Sequence, residues 1–366
     1  MVDLLGQYRH IEEEVNDAIR QVIESTAFIN GPAVKSFEQE LGKYLNTEHV
    51  IGCANGTDAL QVALMALDLP HDAEIIVPAF NYVAAAEVVA LLKYNLIFCD
   101  VDERLFTLDI EDVKRKITPK TRVIIAVHLF GQAAPMEELM ALAAEHNLVI
   151  IEDNAQAIGA DYIFKDGSRK KLGTIGHIGT TSFFPSKNLG CYGDGGAITT
   201  NDAELATVMR SIAGHGQSKK YFYECVGVNS RLDTLQAAIL RVKLKHLDAY
   251  IERRQQAAKV YTEKLSALPW LKTPTQASYS THVFHQYTVQ VFGKDRDEVS
   301  AQLKANGIPS MIYYPVALHQ TPAYQPIHSG KLPVSEKLST CVLSLPMHTE
   351  LTADQVQYIA DTLRAR

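Results

Sequence analysis

Cysteine and long apolar runs are scarce in this sequence, and each shortage excludes a class of protein. The 366 residues include 5 Cys, an odd number with no C-x-x-C pair, which is too few for a disulfide-stapled scaffold. The longest apolar stretches, such as residues 83–92 with Glu87 inside, fall short of the roughly 20 residues of a membrane helix. The first ten residues lack the basic and apolar segments of a secretory signal. We therefore expect a soluble, cytoplasmic protein that does not bind membranes.

Basic charge is also in deficit. Lys and Arg total 35 against 42 Asp and Glu, so the net charge is 35 − 42 = −7. This balance argues against a dedicated nucleic-acid binder, which needs a basic surface, but it leaves room for a local cationic pocket. Hydrophobic residues at 47% and charged residues at 21% are typical of a globular protein with a substantial core.

Short runs rich in Ile and Val alternate with helical patterns between residues 49 and 213. The predicted strands span residues 49–53, 74–77, 96–99, 122–127, 148–151, 180–184 and 196–200, and the predicted helices span 57–67, 82–92, 135–145 and 202–211. Apolar and polar residues scarcely alternate within the strands, which is typical of a sheet buried on both faces. The pattern predicts a layered α/β fold with a mostly parallel sheet, in which polar residues at the strand ends carry the chemistry.

The sequence pattern changes beyond residue 231. A nearly continuous helical pattern covers residues 231–268, followed by a strand at 286–292, a helix at 295–306, a strand at 310–314 and a helix at 352–364. This order predicts a smaller α+β domain at the C-terminus. We divide the chain into a large domain of residues 1–245 and a small domain of residues 246–366.

Two candidate catalytic residues follow predicted strands. Lys187 begins a loop with four glycines between residues 190 and 196. In a dry, glycine-rich pocket a lysine can act as a nucleophilic amine, whereas an isolated lysine in a turn is more often an ordinary surface residue. Asp153 ends a buried strand, where a carboxylate could hold the ring nitrogen of pyridoxal phosphate and maintain its electron sink. The alternative for Asp153 is a helix N-cap.

A third group of candidates precedes the first helix of the alternating region. Thr57 suits an N-cap, and the first amides of that helix would then face a phosphate, with Asp58 contributing its backbone N–H rather than its carboxylate. A cap without a ligand is the alternative. Tyr82 follows the next strand and could stack on a flat ring, although a lone aromatic residue is more often part of a core.

Five blocks, in this order, resemble the DegT/DnrJ/StrS family of pyridoxal-phosphate sugar aminotransferases. The blocks are residues 55–60, 78–84, 152–156, 182–196 and 227–238, and the similarity extends from residue 3 to residue 348. The resemblance implies the fold type I architecture, with a large domain built on a mostly parallel mixed sheet and a smaller α+β domain. It also implies pyridoxal 5'-phosphate as cofactor, amino-group transfer, and a homodimer with shared active sites.

The resemblance also implies roles for individual residues. Lys187 stands at the position of the Schiff-base lysine that later moves a proton between cofactor and substrate. Asp153 matches the partner of the pyridine nitrogen, and Gln156 matches the residue beside the phenolic oxygen. The other implied cofactor contacts are Gly56, Thr57 and Ser182 at the phosphate, Tyr82 on the ring, and Asn229 from the neighbouring subunit.

On the substrate side, the resemblance implies L-glutamate as amino donor and a keto sugar nucleotide as acceptor. The blocks 183–196 and 229–233 most resemble members that aminate a UDP-linked 2-acetamido-3-keto uronic acid for bacterial surface polysaccharide, such as the O-antigen of lipopolysaccharide. A dTDP-linked keto-6-deoxyhexose is the alternative acceptor. The implied substrate contacts are Arg231, Tyr313, Tyr314 and His319, and Tyr313 stands where many members have His.

Two further classes of function compete with this one. A regulatory or binding protein on the same fold would need no cofactor chemistry. A nucleotide-sugar dehydrogenase would need a dinucleotide fingerprint, but the spacing of Gly173, Gly176 and Gly179 does not match one. His282 and His285 lack a second Cys or His pair at zinc-site spacing, so we expect structural or substrate-facing histidines and no metal site.

Overall fold

The computed structural model describes residues 1–327 and 330–365. The helices of these residues are α1 (Leu4–Arg9), α2 (Glu12–Ser25), α3 (Pro32–Leu45), α4 (Gly56–Ala66), α5 (Ala84–Leu91), α6 (Ile110–Lys116), α7 (Met136–His146), α8 (Ala203–Ala213), α9 (Thr234–Leu244), α10 (Leu247–Leu265), α11 (Arg296–Ala305), α12 (Pro333–Cys341) and α13 (Ala353–Arg364). The strands are β1 (His49–Cys53), β2 (Glu74–Pro78), β3 (Asn95–Cys99), β4 (Thr121–Val127), β5 (Val149–Asp153), β6 (Asp161–Ile163), β7 (Arg169–Lys171), β8 (Ile178–Ser182), β9 (Gly196–Thr200), β10 (Gln217–Lys219), β11 (Phe222–Tyr223), β12 (Leu271–Lys272), β13 (Tyr287–Val291) and β14 (Val342–Leu345).

A seven-stranded sheet forms the centre of the protein, in the order β1-β9-β8-β5-β4-β2-β3. The strands from β8 to β3 pair in parallel, whereas β9 is antiparallel to both of its neighbours. The middle of β4 and β5 is fully buried, because helices cover both faces of the sheet. The predicted α/β class and mostly parallel sheet are confirmed. Parallel strands end at one edge, so residues after β2, β4, β5 and β8 are close in space.

The start of α4 differs from the sequence prediction. The N-cap is Asn55, whose side-chain Oδ1 accepts a hydrogen bond from Asp58 N–H at 2.8 Å, and Gly56 is the first helical residue. Thr57 is therefore inside the first turn, and its prediction as the cap was wrong. Asn and Thr are both good caps, so residue type alone does not decide between two positions two residues apart.

The predicted strand at residues 310–314 is also wrong. Within this segment Met311 forms one isolated bridge with Ser344 and no ladder. The place beside β13 in the small sheet is taken instead by β14, whose four residues are all buried. The 310–314 segment then turns away and brings Tyr313 and Tyr314 to the cavity described below.

A second core lies in the C-terminal part of the chain. Antiparallel strands β12, β13 and β14 pack with α10, α11 and α13, and the core includes Tyr261, Tyr287 and Leu303. Helix α10 joins the two cores, because Leu247 and Ile251 pack in the central core and Tyr261 and Leu265 pack in the second. The division of the chain at residues 245 and 246 stays a prediction.

The hairpin of β10 and β11 carries exposed aromatic side chains. Tyr221, Phe222 and Tyr223 are 72%, 63% and 63% exposed. Among the helices of the described residues, none is long and apolar enough to cross a membrane.

Candidate active site

A cavity of about 780 Å³ lies at the carboxyl edge of the central sheet. Ten of the predicted site residues line it: Gly56, Thr57, Asp58, Tyr82, Asp153, Gln156, Ser182, Lys187, Tyr313 and Tyr314. They come from the segments after four strands and from the small domain, so the fold brings together residues that are far apart in sequence.

Lys187 lies in the turn that follows β8. Its backbone N–H donates to Phe184 O at 2.8 Å, which closes the turn and holds the side chain against the cavity. Burial lowers the pKa of Lys187 to about 8, and the nearby charge of Asp153 opposes part of that shift. A lysine with this pKa has a substantial neutral fraction near pH 8, which a nucleophile or general base needs.

Asp153 is the last residue of β5 and is 8% exposed. Its Oδ1 accepts a hydrogen bond from Ala155 N–H at 3.1 Å. Burial raises the pKa of Asp153, while the Ala155 bond and the charge of Lys187 act in the opposite direction. A cationic N–H group on a ligand would stabilise the charged form of a carboxylate buried to this depth.

Glu152, which the sequence analysis did not single out, anchors the end of β5. Its fully buried carboxylate accepts bonds from Gly173 N–H at 2.8 Å and from Ile175 and Gly176 N–H at 2.6 Å each. His128 Nε2 donates to the same carboxylate at 2.8 Å. Burial alone would raise the pKa of Glu152, but the donors together hold that pKa below its ordinary value. This network fixes the strand end from which Asp153 faces the cavity.

The N-terminus of α4 meets the end of β8 at the cavity. A Cβ on Gly56 would approach Ser182 Cβ to 2.7 Å, so this close approach requires glycine. The first amides of a helix have no partner within the helix, and here Gly56 and Thr57 line the cavity together with Ser182. The expectation for Asp58 is corrected, because its backbone N–H is taken by the Asn55 cap.

Gln156 is held from two sides. Its Oε1 accepts from Phe130 N–H at 2.8 Å, and its Nε2 donates to Tyr314 Oη at 3.2 Å. Tyr314 therefore links the small domain to the segment after β5, and burial raises the pKa of its phenol. Tyr82 is 57% exposed and its ring centroid is 6.4 Å from that of Tyr314.

Three predicted site residues do not line the cavity of this chain. His319 is 4% exposed, its Nε2 lies 3.2 Å from Glu336 Oε1, and it is not among the lining residues. Asn229 is exposed and forms a bridge with Gly214, and Arg231 is partly exposed in the same segment. The structure of one chain thus leaves Asn229 and Arg231 outside the site.

Other lining residues had no signal strong enough to assign them. His285 and Gln286 reach the cavity from the small domain, and Asn81 reaches it from the segment after β2. His285 Nδ1 and Asn81 Nδ2 are buried without a hydrogen-bond partner within the described part of the chain. Burial holds the pKa of His285 well below its ordinary value. The only sequence signal was the close spacing of His282 and His285.

The donor set fits pyridoxal phosphate on the geometry of this cavity. The amine of Lys187 suits an aldehyde, and the buried carboxylate of Asp153 suits a protonated ring nitrogen. The cradle at Gly56, which a Cβ would fill, leaves helix amides for a phosphate. In residues 1–327 and 330–365, no cluster of three or more His, Cys, Asp or Glu is arranged to hold a metal.

Similar proteins support the same chemistry. The profile of the DegT/DnrJ/EryC1/StrS aminotransferase family matches residues 9–364. A UDP-2-acetamido-2-deoxy-3-oxo-D-glucuronate aminotransferase of Pseudomonas aeruginosa is 42% identical over 362 residues, which are 99% of this chain and 98% of that protein. A pleiotropic regulatory protein of Geobacillus stearothermophilus is 43% identical over 367 residues, covering 99% of this chain and 97% of that protein. A dTDP-3-amino-3,4,6-trideoxy-alpha-D-glucose transaminase of Streptomyces venezuelae is 39% identical over 365 residues, covering 99% and 94%.

Solved structures give the same result for the fold. DesV of S. venezuelae, in complex with a ketimine intermediate, matches with a TM-score of 0.94 and 39% identity, covering 100% of this chain and 97% of that chain. NtdA of Bacillus subtilis, with bound cofactor PMP, matches with a TM-score of 0.88 and 30% identity, covering 96% of this chain and 81% of that chain. The chain therefore belongs to the DegT/DnrJ/EryC1/StrS aminotransferase family and is a pyridoxal-phosphate-dependent aminotransferase of fold type I.

Proposed function

We propose that the protein transfers the amino group of L-glutamate to a keto sugar carried on a nucleotide and releases 2-oxoglutarate. The observation that carries this proposal is the joint presence of Lys187 and Asp153 in one cavity of a chain 42% identical to a sugar-nucleotide aminotransferase. The proposed sugar is a UDP-linked 2-acetamido-3-keto uronic acid, used in bacterial surface polysaccharide such as the O-antigen of lipopolysaccharide.

The residues of this chain have distinct tasks in that reaction. When bound, pyridoxal phosphate supplies an electron sink for the carbon that gains or loses the amino group. Asp153 would hold the proton of the ring nitrogen, and Gln156, fixed by Phe130 and Tyr314, would contact the phenolic oxygen. Lys187 Nζ would move a proton between the sugar carbon and C4′ of the cofactor, a task that its lowered pKa suits. Gly56, Thr57 and Ser182 hold the phosphate, and Tyr82 covers the ring.

The charge of the cavity supports a shared site in a homodimer. Its described lining carries the carboxylates of Asp58, Glu87, Asp153 and Asp194, against the single lysine at position 187. A nucleotide diphosphate and a uronate add further negative charge, so cations must come from elsewhere. Arg231 is on a segment outside the cavity that follows the exposed aromatic hairpin of β10 and β11 in the sequence. We assign Asn229 and Arg231 of the partner subunit to the cofactor phosphate and the substrate anion.

A subunit-mixing experiment tests the shared site. K187A and R231A chains are each expected to be inactive. Because a mixed dimer holds one site with both native residues, mixing the two chains should restore part of the activity. No recovery from mixed dimers verified by mass spectrometry would contradict the assignment of Arg231.

A substrate panel tests the proposed sugar. The protein is incubated with isotope-labelled glutamate and either the UDP-linked 3-keto uronic acid or a dTDP-linked keto-6-deoxyhexose, with K187A as the control. We expect labelled amino sugar from the UDP compound, with 2-oxoglutarate formed in equal amount. Labelled product from the dTDP compound alone would favour the second candidate, which the 39% identity to the S. venezuelae transaminase supports. No turnover of either compound by protein loaded with cofactor would contradict both.

A further inference from the structure

Lys243 is a buried lysine that the proposed reaction does not use. It is on α9, is 1% exposed, and is not among the residues that line the cavity. Its Nζ donates to Gly190 O at 2.6 Å and is 5.1 Å from the centroid of the Tyr192 ring. In residues 1–327 and 330–365, no carboxylate forms an ion pair with it. Burial lowers the pKa of Lys243 to about 8, because the charged amine is desolvated here without a counter-ion.

The acceptor of this bond belongs to the turn that carries Lys187. A Cβ on Gly190 would approach Pro185 O to 2.4 Å and Phe184 O to 2.8 Å, so the chain folds back tightly on the residues just before Lys187. Lys187 N–H donates to Phe184 O inside the same turn. The carbonyl held by Lys243 is therefore three residues from the reactive lysine and is packed against the start of its turn.

Helix α9 also holds the next part of the loop. Gln236 Oε1 accepts a hydrogen bond from Tyr192 N–H at 2.8 Å. The helix is itself fixed on α3, where Arg241 binds both carboxylate oxygens of Glu40 at 2.6 to 3.0 Å. The loop thus rests on a helix whose position is set independently of the cavity.

Packing alone gives no reason for a lysine at position 243. A methionine would fill a similar volume without the desolvation penalty of a buried amine. The feature that methionine lacks is the charged donor to Gly190 O, and charge-assisted bonds of this length are stronger than neutral ones.

We propose that Lys243 is a positioning residue, which fixes the turn around Lys187 through Gly190 O and so presents the Lys187 amine to the cofactor. This inference rests on the proposed function only in the role given to Lys187. It assigns to α9 a second task besides its packing on α2 and α3.

The test compares K243M and K243R with the control K245M, which removes an exposed lysine from the end of the same helix. Hydrogen exchange of peptides covering residues 187–196 is followed by mass spectrometry, and covalent attachment of added pyridoxal phosphate is followed by absorbance. For K243M we expect about tenfold faster exchange in this segment and about tenfold slower attachment of pyridoxal phosphate, because one charge-assisted hydrogen bond is lost. The midpoint of urea denaturation should change little, because the unmet Gly190 carbonyl and the removed desolvation penalty of the amine oppose each other. K243R should recover part of both rates, and K245M should match the wild type.

Two results would overturn the inference. One is wild-type exchange and attachment in K243M. The other is an equal increase of exchange across all helices, which marks a general structural role. If K243M does not fold, K243Q takes its place as the neutral variant, and wild-type exchange and attachment in K243Q would overturn the inference in the same way. Hydrogen exchange is measured without a sugar substrate. Its result therefore tests the role of Lys243 even if the proposed sugar aminotransferase activity is not found.

Discussion

The buried Glu152 network gives a prediction whose magnitude follows from the structure. In E152Q one carboxylate oxygen becomes an NH₂ group. Oε1 accepts from Ile175 and Gly176, and Oε2 accepts from Gly173 and His128, so the amide leaves two of these four donors without an acceptor. His128 cannot adapt by moving its proton, because its Nδ1 already accepts from Ala134 N–H at 3.1 Å.

Each buried donor left unmet costs about 1–3 kcal/mol, and removing the buried charge offsets part of the sum. We therefore expect E152Q to lower the free energy of unfolding by about 3 kcal/mol. Urea denaturation of the full chain measures the change. The matched control is Glu145→Gln at an exposed helix position, which should change the free energy by less than about 0.5 kcal/mol.

The pH dependence gives a second readout. The donors hold the folded pKa of Glu152 below its ordinary value, so its stabilisation is full above the ordinary carboxyl range. That stabilisation is lost as pH falls through the folded pKa, and E152Q should lack this part of the acid transition. A free energy of unfolding for E152Q within about 1 kcal/mol of the wild type would refute the reasoning, since the two unmet donors alone predict more.

Three further predictions concern the cavity. The rate at which Lys187 attaches added pyridoxal phosphate should rise with pH and level off above about 8, because only the neutral amine reacts; a rate that still rises above pH 10 would indicate an ordinary lysine. Gly56→Ala should weaken cofactor binding measured by equilibrium dialysis and destabilise the fold by about 1–3 kcal/mol, because its Cβ overlaps Ser182; wild-type affinity would show that the α4 terminus does not hold the phosphate. Tyr314→Phe removes the acceptor of Gln156 Nε2, so we expect a shifted absorption maximum of the bound cofactor and a roughly tenfold lower kcat, with an unchanged spectrum counting against the link.

The central sheet and the strand-end residues could be predicted from sequence. Continuous Ile and Val runs mark strands buried on both faces, and the observed strands of the central sheet differ from the predicted ones by at most two residues at either end. Because parallel strands end at one edge, Asp153 and Lys187 were expected together, and both line the cavity.

The parts that could not be predicted depend on contacts between distant segments. The cap at Asn55 was misassigned because Asn and Thr are similar N-caps. The 310–314 segment resembles a strand in composition, yet β14 takes the ladder, and that competition is decided by tertiary packing. The roles of Glu152 and Lys243 could not be assigned from the sequence, because their partners at residues 173–176 and 190 are identified only by the fold.

The same limit applies to the small domain. Tyr314 contacts Gln156 across 158 residues of sequence, and His285 reaches the cavity from a segment whose only sequence signal was its close spacing to His282. His319 Nε2 contacts Glu336 and does not line the cavity of one chain, so its assignment to the substrate stays a prediction. Asn229 and Arg231 lie outside the cavity of one chain, so their roles depend on the partner subunit that we propose.

The most direct test of the account is to locate the covalent attachment point of the cofactor. The holoprotein is reduced with borohydride, digested, and analysed by peptide mass spectrometry, with K187A as the control. We predict a reduced pyridoxyl group on Lys187 in near-stoichiometric yield, no label in K187A, and loss of the yellow colour in that variant. A holoprotein in which Lys187 is unlabelled, or in which another lysine carries the group, would contradict the central claim.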